Sequence, residues 1–169
     1  MREGKAVNDF LYPDRIIVGA NSKKSKALIR KLYAKIIKKK NNLLFMSTIS
    51  AELTKYSSNA MLASRISFIN EISLIALKVG ANIQDISTGM GLDSRIGDQF
   101  LNAGLGYGGS CFPKDIQAIT SLQSKLNLQS CAISSIQEAN DQQFQFFYNK
   151  ILNAYSPKQL KKITFFIRN

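Results

Sequence analysis

Residues 50–79 read SAELTKYSSNAMLASRISFINEISLIALKV, and this stretch decides the fold. Ser50 is placed to cap a helix and Gly80 to end it. At 1.5 Å of rise per residue the helix is roughly 40 Å long. Leu53, Tyr56, Met61, Leu62, Ile66, Ile69, Ile72, Leu74, Ile75 and Val79 fill more than one stripe of its surface. A helix apolar on several sides is buried on several sides. The second buried side can belong to one domain's interior or to a contact with another copy of the chain; the pattern permits both.

Upstream, residues 14–20 form a short β-branched run stopped by Gly19, and Ser22 caps a helix through about Lys38. A second strand spans residues 43–48, so residues 14–48 make a strand–helix–strand unit, the building block of a parallel sheet. Downstream, Asn82 caps a helix to about Met90, a glycine-rich stretch covers 101–111, and helices are predicted over 114–126 and 130–154. Pro157 ends the last helix, and residues 162–167 read as a strand that opens something new. The fold class is mainly α, preceded by a β-α-β stub.

The chain of 169 residues is 45% apolar and 20% charged, enough for a real core and too ordinary for disorder. No uninterrupted apolar run reaches the ~20 residues of a bilayer span, and residues 1–5 have no apolar signal core. Cys111 and Cys131 do not make a disulfide framework, which points to a reducing, cytoplasmic setting. The net charge of +12 divides into +9 over residues 1–50, −1 over 51–150 and +4 over 151–169. A basic chain can bind nucleic acid. Here Lys38-Lys39-Lys40 closes a helical pattern, where cations suit the helix C-terminus, and a solvated face accounts for it. Neither nucleic acid nor membrane is expected as a partner, and no metal-ligand set stands out.

The chemistry concentrates in Gly108-Gly109-Ser110-Cys111-Phe112-Pro113-Lys114-Asp115. Paired glycines let the backbone approach a ligand closely. Cys111 stands just before a helix that Pro113 can open at its first position, and a helix N-terminus favours an anion. With Lys114 alongside, this is a setting for a nucleophilic thiolate; the alternative is an inert cysteine in a loop. Cys131 lacks such neighbours and reads as inert. The chain has no histidine, which disfavours a conventional cysteine hydrolase and leaves Lys55, Asp115 and Glu3 as proton carriers. Lys55 and Asn59, four apart on the long helix, share a face and can together donate hydrogen bonds to an oxyanion; a surface lysine with a polar spacer is the alternative.

Gly106-Tyr107-Gly108-Gly109-Ser110-Cys111-Phe112-Pro113-Lys114-Asp115 resembles the catalytic-cysteine motif of the UDP-glucose 6-dehydrogenases, within the wider UDP-glucose/GDP-mannose dehydrogenase family. Residues 94–104, 51–60, 68–71 and 9–16 resemble further motifs of that family in the right order, and the likeness runs from about residue 1 to 160. It implies oxidation of a sugar C6 alcohol to a carboxylate with two NAD+, through a thiohemiacetal and a thioester. By resemblance Cys111 is the nucleophile, Lys55 and Asn59 stabilise the oxyanion or an ordered water, and Asp115 handles protons. Glu3 and Lys114 lie near the nicotinamide. Phe100, Leu101, Asn102, Ala103, Gly104 and Gly108 line the UDP-sugar, and Arg95 reaches the sugar nucleotide of a neighbouring subunit. Tyr107 and residues 112–115 favour UDP-glucose over GDP-mannose or UDP-N-acetyl amino sugars.

The resemblance also implies boundaries. Residues 1–48 match the end of an NAD-binding Rossmann-like domain, 49–156 a helical central and dimerisation domain, and 157–169 the start of a UDP-binding domain. No Gly-x-Gly-x-x-Gly loop is present, because Gly104-Leu105-Gly106 follows no strand. The 169 residues are therefore expected to be the middle of such an enzyme, inactive alone, homodimeric through the long helix, with terminal domains missing or carried on another chain. The alternative is a remnant that serves only as a helical dimerisation module.

Overall fold

The computed structural model describes residues 4, 6–37, 42–129, 132–156 and 159. Their elements run α1 (Ala6–Leu11), β1 (Ile16–Gly19), α2 (Lys23–Tyr33), β2 (Leu43–Met46), α3 (Thr48–Val79), α4 (Ile83–Gly91), α5 (Phe112–Lys125) and α6 (Ser134–Ala154). The architecture is mainly α with a two-stranded stub, as the sequence predicts. It divides into two units, Met1–Lys55 and Tyr56–Asn169.

In the first unit β1 and β2 pair in parallel, from Ile16 opposite Leu43 to Gly19 opposite Met46, with α2 as the crossover. Ser22 caps α2 by accepting the Ser25 N–H at 3.0 Å. The Arg30 guanidinium lies 4.7 Å from the centre of the Phe45 ring, tying α2 to β2. Gly19 is required by space: a Cβ there would meet the Thr48 Cα at 2.8 Å.

Several boundaries differ from expectation: α2 ends at Tyr33, short of the expected Lys38, and α6 begins at Ser134. The long helix begins at Thr48, not at a Ser50 cap. Ser47 Oγ accepts the Ser50 N–H at 3.0 Å, so the capping serine is the earlier one. Pro113 occupies the second position of α5, after Phe112. The six-residue α1 was not predicted; so short a helix carries little periodicity to read. The Lys38–Lys40 run, Cys131, Glu3 and the expected strand at 162–167 lie outside the described residues.

In the second unit the core is Ala60 and Ala63 of α3, Tyr107 of the loop, Ile116 of α5 and Ile136 of α6, with Ile66 and Phe112 packed on it. Two alanines three residues apart leave α3 a smooth face on which larger side chains seat. Ser67 Oγ donates to the Ile136 carbonyl at 3.0 Å, joining the two long helices where both are buried. By length and composition α3 could cross a membrane. Its buried Asn70 and its packing on the other helices make it the core helix of this unit. Met61, Phe68 and Ile75, spaced by seven, stay 63%, 48% and 57% exposed along one stripe.

Burial, and secondarily the charge of Asp141, push the Tyr107 phenol up from 10.0 to about 12. Neutral tyrosine is therefore favoured in the folded state. Its contribution to stability is fully present below pH 10.0 and lost as pH rises toward about 12. Urea unfolding should show stability falling across that window, and Tyr107→Phe should make the fall shallower. An unchanged slope in the variant would contradict the assignment.

Candidate active site

Cys111 occupies the N-cap position of α5, with φ −106° and ψ −58°, and makes no side-chain cap bond. Its thiol is exposed, with Ser110 Oγ at 3.7 Å. One turn on, the Asp115 N–H donates to the Cys111 carbonyl at 3.0 Å. The Asp115 side chain is fully buried, and Asn59 Nδ2 of α3 donates to its Oδ2 at 2.6 Å. A carboxyl is costly to bury without a donor, and Asn59 supplies one. A thiol at a helix cap and a buried carboxyl one turn behind it share a single rigid element. Such a pair can hold an electrophilic carbon and manage a proton.

The backbone ahead of Cys111 has no regular structure, and the neighbouring helices bind it through side chains. Arg65 of α3 donates to the carbonyls of Ile96 at 2.8 Å and Gly97 at 2.7 Å. Ser87 Oγ of α4 donates to the Leu101 carbonyl at 2.5 Å. The Gly104 peptide is held from both sides: its N–H donates to Asn70 Oδ1 at 2.8 Å, and its carbonyl accepts from Gln143 Nε2 at 2.7 Å. Asn140 Oδ1 accepts the Tyr107 N–H at 2.7 Å, while its Nδ2 donates to the Tyr107 carbonyl at 3.1 Å. Asn70, Asn140 and Gln143 are all buried.

Two points of this loop carry unusual backbone. Phe100 sits at φ 62°, a conformation a bulky residue rarely adopts. Its ring meets Phe112 edge-on at 6.4 Å, and Phe112 meets Tyr107 at 5.9 Å. Gly106, at φ 112°, lies against Asn140, where a Cβ would come within 2.6 Å of Oδ1.

Of the residues singled out from the sequence, Asn59 and Asp115 meet directly, and Cys111 lies one turn before Asp115 at the start of α5. Lys114 is exposed in the first turn of α5. Lys55 is exposed on α3 and closes the first unit. Phe100, Asn102 and Gly104 are exposed, Leu101 is buried, and Ala103 and Gly108 are half-buried. Arg95 is exposed and engages Asp93, with its Nη2 at 2.6 Å from Oδ2. The Arg95 hydrogen bonds hold the Asp93 carboxyl below the usual range. Asn70, Gln137, Asn140 and Gln143 were not singled out as site residues from the sequence. The signal was present in part: 137, 140 and 143 are amides three apart, and so share one face of α6.

In the β1–α2 turn, a Cβ on Gly19 would meet Thr48, and the N–H of Ser25 donates to Ser22 Oγ.

Residues 49–142 match the central domain of the UDP-glucose/GDP-mannose dehydrogenase family, and residues 1–37 match that family's NAD-binding domain. The UDP-glucose 6-dehydrogenase of Rickettsia prowazekii is 51% identical over 140 residues, 83% of this chain and 32% of the relative. That of Pseudomonas aeruginosa is 38% identical over 151 residues, 89% and 33% of the two chains. A solved UDP-glucose dehydrogenase from Pyrobaculum islandicum superposes with a TM-score of 0.79 at 38% identity, covering 83% of this chain and 32% of its own. The chain thus spans about a third of the length of these relatives. The match across more than half its residues establishes that the chain belongs to the UDP-glucose/GDP-mannose dehydrogenase family.

Proposed function

We propose that these residues are the catalytic-cysteine portion of an NAD-dependent UDP-glucose 6-dehydrogenase. The observation that carries this is Cys111 at the cap of α5, with the buried Asp115–Asn59 pair one turn behind it. NAD+, when bound, accepts hydride from the sugar C6. Once C6 is an aldehyde, the Cys111 sulfur adds to it and the oxygen gains a proton, giving a thiohemiacetal. Loss of a second hydride from C6, to a second NAD+, and of the hydroxyl proton gives a thioester. Water then adds to the carbonyl, the C–S bond breaks, and the carboxylate leaves as the thiol is restored. Asn59, with Lys55 one turn before it on α3, donates to the oxygen that carries charge in the addition steps. Asp115 takes the proton from the attacking water or returns it to sulfur. The 100–104 segment and Gly108 line the UDP-sugar, and Lys114 serves the nicotinamide side.

The family resemblance implies that NAD+ and the uridine are held mainly by parts of such enzymes that these residues do not match. Hydride transfer needs reactants placed within ~3–3.5 Å, and that placement is worth on the order of 7–11 kcal/mol. A polypeptide of these 169 residues should therefore form no NADH from UDP-glucose by itself. Supplied with the family's dinucleotide- and UDP-binding domains it should do so, and Cys111→Ala should abolish the product. NADH formation that survives Cys111→Ala would refute the assignment.

A second copy of the chain is the proposed partner. The Met61–Phe68–Ile75 stripe is apolar, exposed and spaced by the seven residues of a helix–helix seam. Arg95, resembling a residue that acts across subunits, is exposed on the same unit. Light scattering at tens of micromolar should give a dimer, and Phe68→Lys should shift it toward monomer. A monomer in the unsubstituted chain would rule this partner out.

A further inference from the structure

Asn140 spends both arms of its amide on one residue of the loop, accepting from the Tyr107 N–H and donating to the Tyr107 carbonyl. It also fills the space that a side chain on residue 106 would take. The Tyr107 hydroxyl donates to Gln137 Oε1 at 3.2 Å, so two amides of α6 fix this residue at both backbone and ring. The Tyr107 ring in turn meets Phe112, the first residue of α5. Cys111 therefore hangs between two fixed points, Tyr107 on one side and Phe112 on the other, with only residues 108–110 between. Its sulfur is exposed, with Ser110 Oγ at 3.7 Å. The place of the thiol is inherited from the grip on Tyr107.

We infer that Asn140 is a positioning residue for Cys111, with Gln143 extending the same grip to Gly104, so that a face of α6 distant in sequence sets how the thiol is presented. The inference rests on the assignment of Cys111 as the reacting thiol.

A structural amide and a positioning amide are told apart by Asn140→Asp. A protonated carboxyl has the shape of the amide and keeps both bonds to Tyr107. An ionised one can still accept from the N–H but has nothing to donate to the carbonyl. The charged and titratable groups on the elements around it include Glu138, Asp141, Tyr148 and Lys150 of α6, Asp93, Arg95, Asp98, Tyr107 and Cys111 of the loop, Lys114, Asp115 and Lys125 of α5, and Tyr56, Arg65, Glu71 and Lys78 of α3. They are the same in both proteins, so the ratio of unsubstituted to variant rates isolates the new carboxyl.

The experiment labels the 169-residue chain, with Cys131→Ser as common background, using 4,4′-dithiodipyridine at pH 5 and pH 8. The ratio should be near one at pH 5, and the variant about fivefold slower at pH 8, the scale of one buried hydrogen bond. A ratio equal at the two pH values, or a variant that labels faster at pH 8, overturns the inference. Circular dichroism at both pH values checks that the variant is folded. Should it not be, Gln143→Glu makes the same comparison through the Gly104 carbonyl, and the same flat ratio is fatal. The ratio is read whether or not the chain forms NADH, so the dehydrogenase assignment and this one fail separately.

Discussion

A stretch of backbone without helix or strand lies among four helices, and its polar groups need partners. That requirement shapes the second unit. From Ile96 to Tyr107 the partners come from side chains: Arg65 and Asn70 from α3, Ser87 from α4, Asn140 and Gln143 from α6. Removing one partner leaves a buried donor or acceptor unmet, which costs about 1–3 kcal/mol. The loop is thus held by many such bonds at once. Its glycine at 106 is there because Asn140 needs the room.

The chemistry follows from what this fixed loop delivers. It brings Cys111 to the start of α5, where the N–H groups of the first turn lack helical partners and Pro113 has none to offer. Asp115 is buried on the same helix and Asn59 meets it from α3, so the core that packs the helices also sets the carboxyl against its donor. The chain contains no histidine, so under the proposed function proton handling beside the thiol falls to groups such as Asp115. Stability and reactivity draw on the same contacts.

Much of this was legible in the sequence. The α3 pattern announced a long helix buried on several sides; the length holds, but of the apolar residues behind that reading only Ile69 is buried, while Leu53, Met61, Ile75 and Val79 stay exposed. The glycine pair followed by Cys111 and Pro113 announced a loop running into a helix, because those residues constrain the backbone locally. The missed features are long-range. The cap of α3 is Ser47 and not Ser50; two serines three apart offer the same local signal, and the end of β2 at Met46 decides between them. Asn70, Asn140 and Gln143 look like solvent-facing spacers until the loop is laid against them. An amide on a helix reveals its partner only when tertiary structure brings that partner near.

The central claim, that helix-borne amides hold the loop ahead of Cys111, is tested most directly by residue-resolved hydrogen exchange at Gly104 and Tyr107. Their N–H groups donate to Asn70 and Asn140, 34 and 33 residues away in sequence. Opening them requires loosening the packed helices, so both should exchange as slowly as the amides in the middle of α6. Exchange at the rate of an unprotected loop, with α6 still protected, would contradict it.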